Sequence, residues 1–180
     1  FKGGALPDFD NGWKQSWTNN ADGNIGGWTV RDGDKFYAGD FNHDGEEELL
    51  CVQTGDDMVD TWMTLLKYNA GTWEWLWSNY GSTDHPMLPY RSNGLIGDFD
   101  GDGKDEFLGN DVDGWTTVFH FDGSDWVWGW SDYGDHPIVP YKDRLLVGNF
   151  VGDSKDEILG WDIGGWTTMF RFEGADWTWG

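Results

Sequence analysis

The chain has 180 residues, enough for one domain with its own hydrophobic core. Its 33 Asp and Glu residues against 11 Lys and Arg residues give a formal net charge of −22, which disfavours nucleic acids and anionic membrane surfaces as partners and attracts cations. The 28 Gly and 15 Trp residues exclude a disordered acidic tail, and no stretch is long and apolar enough for membrane insertion.

Three segments of similar sequence follow one another along the chain. GDFNHDGEEELL begins at Gly39, GDFDGDGKDEFLG at Gly97 and GNFVGDSKDEILG at Gly148. Each is followed by two Trp residues 11 positions apart, namely Trp62 and Trp73, Trp115 and Trp126, and Trp166 and Trp177. A constant internal spacing indicates that one structural unit has been copied.

These repeats define the expected organisation of the chain. FDNGWKQSW, near the N-terminus, matches YNAGTWEWLW inside the first repeat, so residues 1–33 are predicted to be the second half of a repeat. Further repeats are predicted at 34–94 and 95–144, and a repeat truncated at its end is predicted at 145–180. We expect these three and a half repeats to form one domain together.

Apolar side chains alternate with a period of two inside the repeats, as at Trp126, Trp128 and Trp130. This is the period of a β-strand, and Asn, Asp and Gly residues separate the alternating stretches. In the repeat 95–144 the predicted strands are Leu95 to Phe99, Glu106 to Gly109, Trp115 to Phe121 and Asp125 to Trp130. The sequence therefore predicts an all-β fold of β-propeller-type blades, each with four antiparallel strands.

A carboxylate-rich loop lies between the first two predicted strands of each blade. We number the loop positions from Asp98 as position 1. In the repeat 95–144, side chains with oxygen ligands stand at positions 1, 3, 5 and 9, Gly103 stands at position 6, and position 7 offers a backbone carbonyl. The predicted ligands are Asp98, Asp100, Asp102, Lys104 through its carbonyl, and Glu106. Six to eight oxygen ligands in a flexible loop suit Ca²⁺, whereas Mg²⁺ requires a stricter octahedron. We therefore predict a calcium site that contributes to folding.

The other two repeats carry variants of this loop. In the first repeat the predicted ligands are Asp40, Asn42, Asp44, Glu46 through its carbonyl, and Glu48, and this loop is interpreted as a second calcium site. In the third repeat Val151 removes one ligand and Ser154 replaces the turn glycine. Asn149, Asp153 and Glu157 remain as candidate ligands there, so we expect a weak or empty site.

The segment GDFDGDGKDEFLG resembles the FG-GAP or VCBS repeats of calcium-binding β-propellers, which include integrin α-subunit heads and several lectins. The resemblance covers the three loop regions closely and nearly all of the chain more loosely. It implies a propeller with Ca²⁺ in the loop between the first two strands of a blade, and we expect such a module to be secreted. The chain departs from the family in having Glu at position 9 and too few repeats for the usual ring. We therefore expect an oligomer or a part of a larger propeller.

The sequence offers no sign of an enzyme. Motifs for an activated serine, a zinc protease, a phosphate-binding loop and a dinucleotide-binding turn are missing from the sequence. Acidic residues are plentiful, but most belong to the repeated loops, and repeated chemistry favours binding over catalysis. We therefore expect a binding module without catalytic residues.

Two groups of aromatic and His residues are candidate ligand-binding sites. They recur in successive repeats and comprise Trp77, Tyr80, His85, Trp130, Tyr133 and His136. Their rings offer faces for stacking on sugars, which favours a calcium-stabilised, lectin-like module that binds glycans. The same residues would suit a seam between blades, as would Trp62, Trp115 and Trp166. The alternative is therefore a structural or adhesion module with a protein partner, such as a fragment of a larger extracellular protein or enzyme.

Overall fold

The computed structural model describes most of the chain from residue 23 onward. The described residues are 23–54, 62–82, 84–91, 93–111, 113–134, 138, 141, 144–162 and 164–179. The predicted half-repeat lies outside the described residues up to position 22, and His136 lies outside them as well.

The described residues form β-strands with one short 3₁₀ helix, Leu88–Tyr90. The strands are β1 Asn24–Ile25, β2 Trp28–Thr29, β3 Lys35–Gly39, β4 Glu48–Val52, β5 Met63–Asn69, β6 Thr72–Ser78, β7 Gly94–Gly97, β8 Glu106–Asn110, β9 Trp115–Phe121, β10 Trp126–Tyr133, β11 Leu145–Gly148, β12 Glu157–Trp161, β13 Thr167–Phe172 and β14 Trp177–Trp179. Among these residues, no helix has the length and apolar character needed to cross a membrane.

The strands form successive antiparallel sheets. β1 and β2 form a hairpin, and three four-stranded sheets follow, made of β3 to β6, β7 to β10 and β11 to β14. Within each of the three sheets, strands adjacent in sequence are hydrogen-bonded neighbours. The prediction of an all-β fold with four-stranded antiparallel blades is confirmed.

Tight turns join the last two strands of the blades. Between β5 and β6, Ala70 and Gly71 have φ angles of 47° and 104°. Two successive positive φ values are typical of the two-residue turns whose twist matches that of the paired strands. Between β9 and β10, the Asp122 carboxylate accepts the backbone N–H groups of Ser124 at 2.8 Å and Asp125 at 2.9 Å. Local turn chemistry therefore supports these two hairpins.

The hydrophobic cores lie between neighbouring sheets rather than within one sheet. The core of the first seam combines Phe41, Leu50, Val52, Met63, Leu65 and Trp77 of the first sheet and its loops with Phe107, Phe119, Phe121 and Trp126 of the second. The core of the second seam combines Phe99, Leu108 and Val118 with Ile158, Phe170, Phe172 and Trp177. The sheets therefore pack face to face, as the blades of a propeller do.

The first strands of the sheets approach one another closely. A Cβ atom at Gly39 would lie 2.7 Å from Ile96 Cγ2 and 2.9 Å from Asp105 Oδ2. A Cβ atom at Gly97 would likewise lie 2.9 Å from Asp156 Oδ2. These separations are shorter than van der Waals contact, so glycine is required where one blade meets the loop of the next.

In the first two sheets, one aromatic residue anchors the blade on the following one. Phe41 packs edge-to-face on Trp126 with ring centroids 5.1 Å apart, and Phe99 packs in the same way on Trp177 at 5.4 Å. Both Phe side chains are fully buried, whereas Phe150, at the equivalent position of the third sheet, is 48% exposed. The face of the third sheet that carries Phe150 is therefore exposed, whereas the corresponding faces of the first two sheets are buried against the following sheet.

Candidate functional site

The loop between β7 and β8 gathers four carboxylates. One oxygen from each of Asp98, Asp100, Asp102 and Glu106 lies within 4.8 Å of the others. Asp98 accepts the N–H groups of Gly101 at 2.7 Å and Gly103 at 2.9 Å, which curls the backbone around its carboxylate. Gly103 has a φ of 89°, a conformation that its lack of a Cβ permits.

The remaining bonds of this loop orient the other carboxylates. Asp102 accepts the N–H of Lys104 at 2.8 Å, and Glu106 accepts the N–H of Phe99 at 2.8 Å. Glu106 is only 3% exposed, while Asp100 and Asp102 face solvent. The predicted ligand side chains of this loop therefore lie together, in a cup that is open on the Asp100 and Asp102 side.

Burial and mutual repulsion make this cluster costly in the absence of a cation. Burial raises the pKa of Glu106 to about 8, and the negative charge of the nearby Asp100 carboxylate acts in the same direction. Burial also raises the pKa of Asp98 above its usual range. A divalent cation held by these oxygens would offset both effects, so the residues fit a hard cation such as Ca²⁺.

The loop between β3 and β4 is arranged differently, because a lysine reaches into it. The Lys67 ammonium group contacts Asp44 and lies 3.3 Å from Glu46 and 4.0 Å from Glu48. The Asn42 amide nitrogen donates to Glu48 Oε1 at 2.7 Å, and its buried Oδ1 finds no hydrogen-bond partner in the described part of the chain. The lysine holds the pKa of Asp44 below its usual range.

The Asp40 carboxylate organises the backbone of this same loop. It accepts the N–H groups of Asp44 at 3.0 Å and Gly45 at 2.9 Å, and Gly45 has a φ of 84°. The backbone fold therefore resembles that of the Asp98 loop, although a side-chain cation sits among the predicted ligands.

The loop between β11 and β12 contains an arginine instead. Arg171 lies 2.5 Å from Asp153, 2.8 Å from Glu157 and 3.0 Å from Glu173. Asn149 Oδ1 accepts the N–H of Gly152 at 2.6 Å. The loop lacks the positive φ that glycine gives the other two loops at position 6, because Ser154 stands there. Three predicted ligands are thus present, but two of them are ion-paired.

Neighbouring loops are joined by a pair of reciprocal hydrogen bonds that we call the inter-blade clasp. The Asp105 carboxylate accepts the N–H of Asp40 at 2.8 Å, and the N–H of Asp105 donates to the carbonyl of Asp40 at 3.0 Å. Asp156 makes the same two bonds with Asp98, at 3.2 Å and 2.7 Å. Each of these two loops is therefore held by the blade that follows it.

Three of the predicted ligand-binding side chains lie in the seams. Trp77, 9% exposed, packs on His85 with ring centroids 5.0 Å apart, and His85 Nε2 is 3.0 Å from Asp125 Oδ1. Trp130 Nε1 donates to the carbonyl of Ala175 at 3.0 Å in the next seam. These contacts match the seam alternative, and the part of these residues in ligand binding stays a prediction.

Two other predicted residues are exposed and belong to repeated aromatic pairs. Tyr80 packs on Trp62, and Tyr133 on Trp115, each with ring centroids 5.0 Å apart. Tyr80 is 76% exposed and Tyr133 is 63% exposed. Trp62 also packs on Trp28 of the β1–β2 hairpin, with ring centroids 4.8 Å apart, as the seam interpretation expects, whereas Trp115 is 38% exposed. The signal for the pairs is the shared spacing of 18 residues between each Trp and its Tyr.

A cavity of about 260 Å³ adjoins the Asp98 loop between the second and third sheets. Its lining includes Asp100, Glu106 and His120 from the second sheet and Phe172 from the third, together with Trp130. The carboxylate cup therefore opens beside an aromatic wall.

Comparison with known proteins adds no relative: the chain matches no protein-family model and no curated protein.

Proposed function

We propose that this protein is a secreted, calcium-stabilised carbohydrate-binding module in which the repeated Trp–Tyr pairs contact the sugar. The observation that carries the proposal is the recurrence of a Trp–Tyr pair at equivalent positions, Trp62 with Tyr80 and Trp115 with Tyr133, in which the Tyr ring is exposed. Aromatic faces that stay exposed when a core has ample apolar residues indicate a binding surface.

The chemistry of these pairs suits a saccharide. An aromatic ring offers an apolar face to the C–H groups of a sugar, and the Tyr hydroxyl can exchange hydrogen bonds with sugar hydroxyls. The net charge of −22 disfavours sulfated or uronate-rich polymers and favours neutral or cationic glycans. Weak sites on successive blades would give avidity for a ligand with repeated sugars.

Calcium has a structural part in this proposal. Asp98, Asp100, Asp102 and Glu106 would hold the ion, which would neutralise their charge and fix the loop that the inter-blade clasp joins to the third sheet. Extracellular modules bind Ca²⁺ with Kd values of about 10⁻⁴ to 10⁻³ M, so millimolar calcium would add roughly 0.5 to 1.5 kcal/mol to folding. Calcium here supports the binding surface and performs no chemistry.

The test is a glycan array followed by titration calorimetry at millimolar Ca²⁺. We expect binding to one class of neutral or cationic glycan, and we expect the double variant Tyr80→Ala, Tyr133→Ala to lose it while melting at nearly the same temperature. Trp179→Ala is the matched control, because Trp179 is 63% exposed but lies outside the pairs. Binding that survives in the double variant, or no saccharide binding by the wild type, would contradict the proposal.

An adhesion module is the second candidate, and the third sheet supports it. Leu146, Phe150 and Val151 are each about half exposed, although Phe41 and Phe99, the equivalents of Phe150, are fully buried against a following blade. Such a face favours association with a second copy or with a partner protein. Light scattering that gives a stable monomer of 20.5 kDa, together with no protein recovered in a pull-down, would contradict this alternative.

A further inference from the structure

One position on the third strand of each blade faces the carboxylate loop. Lys67, His120 and Arg171 each stand five residues after the equivalent Trp residues of their repeats. Lys67 lies directly opposite Glu48 in the β4–β5 register. The registers of the next two sheets, in which Phe107 opposes Phe119 and Ile158 opposes Phe170, bring His120 level with Glu106 and Arg171 level with Glu157. The three side chains are thus structural equivalents.

In two of the three blades this position supplies a positive charge to the loop. The Glu48 and Glu157 side chains are completely buried, and the ammonium group of Lys67 and the guanidinium group of Arg171 lie at 4.0 Å and 2.8 Å from them. Each cation also contacts a more exposed aspartate, Asp44 or Asp153, which is the position-5 ligand in the calcium interpretation. A full positive charge therefore stands among the oxygens that a metal would require.

The second blade differs at this one position. His120 is shorter than Lys or Arg and lines the same cavity as Asp100 and Glu106, but it forms no ion pair with a loop carboxylate within the described residues. Glu106 uses Oε2 to accept the Phe99 N–H, and no hydrogen bond from another described residue reaches its Oε1. Four carboxylates thus converge without the side-chain cation that their counterparts possess.

We propose that Lys67 and Arg171 are resident cations that replace a metal ion in the first and third loops, so that the second loop, with His120, is the only one of the three to bind a divalent cation. This inference rests on the calcium site of the proposed function and departs from the expectation of a second site at Asp40. A divalent ion entering the first loop would have to displace Lys67 from Asp44 and Glu48 or sit beside its charge. Coulomb repulsion between the ammonium group and a divalent ion at such separations opposes entry.

The first experiment counts ions with Ca²⁺ alone as the probe, by titration calorimetry of chelator-treated protein. We expect one ion per chain. Asp102→Asn should weaken binding at least about tenfold, since it removes a charged ligand, while its position-5 counterpart Asp44→Asn should leave the affinity unchanged. Two ions per wild-type chain, or equal losses in the two variants, would overturn the resident-cation assignment. No ion at all would instead overturn the calcium part of the proposed function and the second-loop site with it.

The second experiment exchanges the deciding residue. His120→Lys should lower Ca²⁺ affinity by about 100-fold or more, because it places an ammonium group among the ligands, and should abolish the change in melting temperature on adding a chelator. His120→Asn is the neutral control and should keep both. Lys67→Met should raise the count to two ions and make melting of the variant more sensitive to chelator. An unaltered affinity in a folded His120→Lys variant would refute the proposal.

Discussion

The seam contact of Phe99 allows a quantitative prediction with an internal control. Phe99 is fully buried and packs edge-to-face on Trp177. Phe99→Ala should lower the free energy of unfolding by about 3 to 5 kcal/mol, which includes about 0.5 to 1.5 kcal/mol for the aromatic pair. For a domain of this size, each kcal/mol corresponds to about 2 to 4 °C in melting temperature, so we expect a decrease of about 6 to 20 °C.

The control is the same substitution one repeat later. Phe150 occupies the equivalent position but is 48% exposed, so Phe150→Ala should cost about 1 kcal/mol and shift the melting temperature by a few degrees. Thermal unfolding followed by circular dichroism, at several protein concentrations, measures both variants. Equal losses of stability in Phe99→Ala and Phe150→Ala, at all protein concentrations, would refute the argument that the following blade provides the stabilisation. A Phe150→Ala loss that disappears on dilution would instead show that a second copy of the chain buries Phe150.

Three further predictions concern single residues. In chelator, the stability that protonated Glu106 contributes should be complete below about pH 4.5 and lost as the pH rises through its folded pKa of about 8. The reason is that the folded state holds the proton more tightly than the unfolded state does. Glu106→Gln should therefore flatten the dependence of melting temperature on pH between 5 and 9. Asp105→Ala should cost about 1 to 3 kcal/mol in chemical unfolding by leaving the Asp40 N–H without its acceptor, whereas the exposed equivalent Glu47→Ala should cost about 0.5 kcal/mol or less. Cys51 is fully buried and burial raises the pKa of its thiol to about 12, so iodoacetamide should label it only in denaturant; labelling of native protein at a similar rate would contradict this.

Much of the architecture could be predicted from the sequence because it depends on local patterns. The alternation around Trp126 and the turn residues at Asp122 and Gly71 are sufficient to define the hairpins, and β9 was predicted with the bounds that it has in the structure. The turn role of Gly103 likewise follows from its place in the loop. These features need only the near neighbours of each residue.

The differences between the three loops could not be predicted in the same way. The Asp40 and Asp98 loops look alike in sequence, and the residue that distinguishes them stands on another strand, 23 residues from Asp44 in the case of Lys67. Its effect depends on the β4–β5 register, which no local pattern specifies. The Trp62–Tyr80 pair likewise depends on how the chain returns after β6.

The inter-blade clasp gives the folding of the chain a direction. The Asp40 loop receives its carboxylate acceptor from a residue 65 positions later, and the Asp98 loop from one 58 positions later. During synthesis from the N-terminus, a loop that has already emerged therefore lacks its clasp hydrogen bonds until the next blade has been made. At a translation rate of about 5 to 20 residues per second, the interval before the acceptor residue is synthesised is several seconds. Each blade thus completes the one made before it.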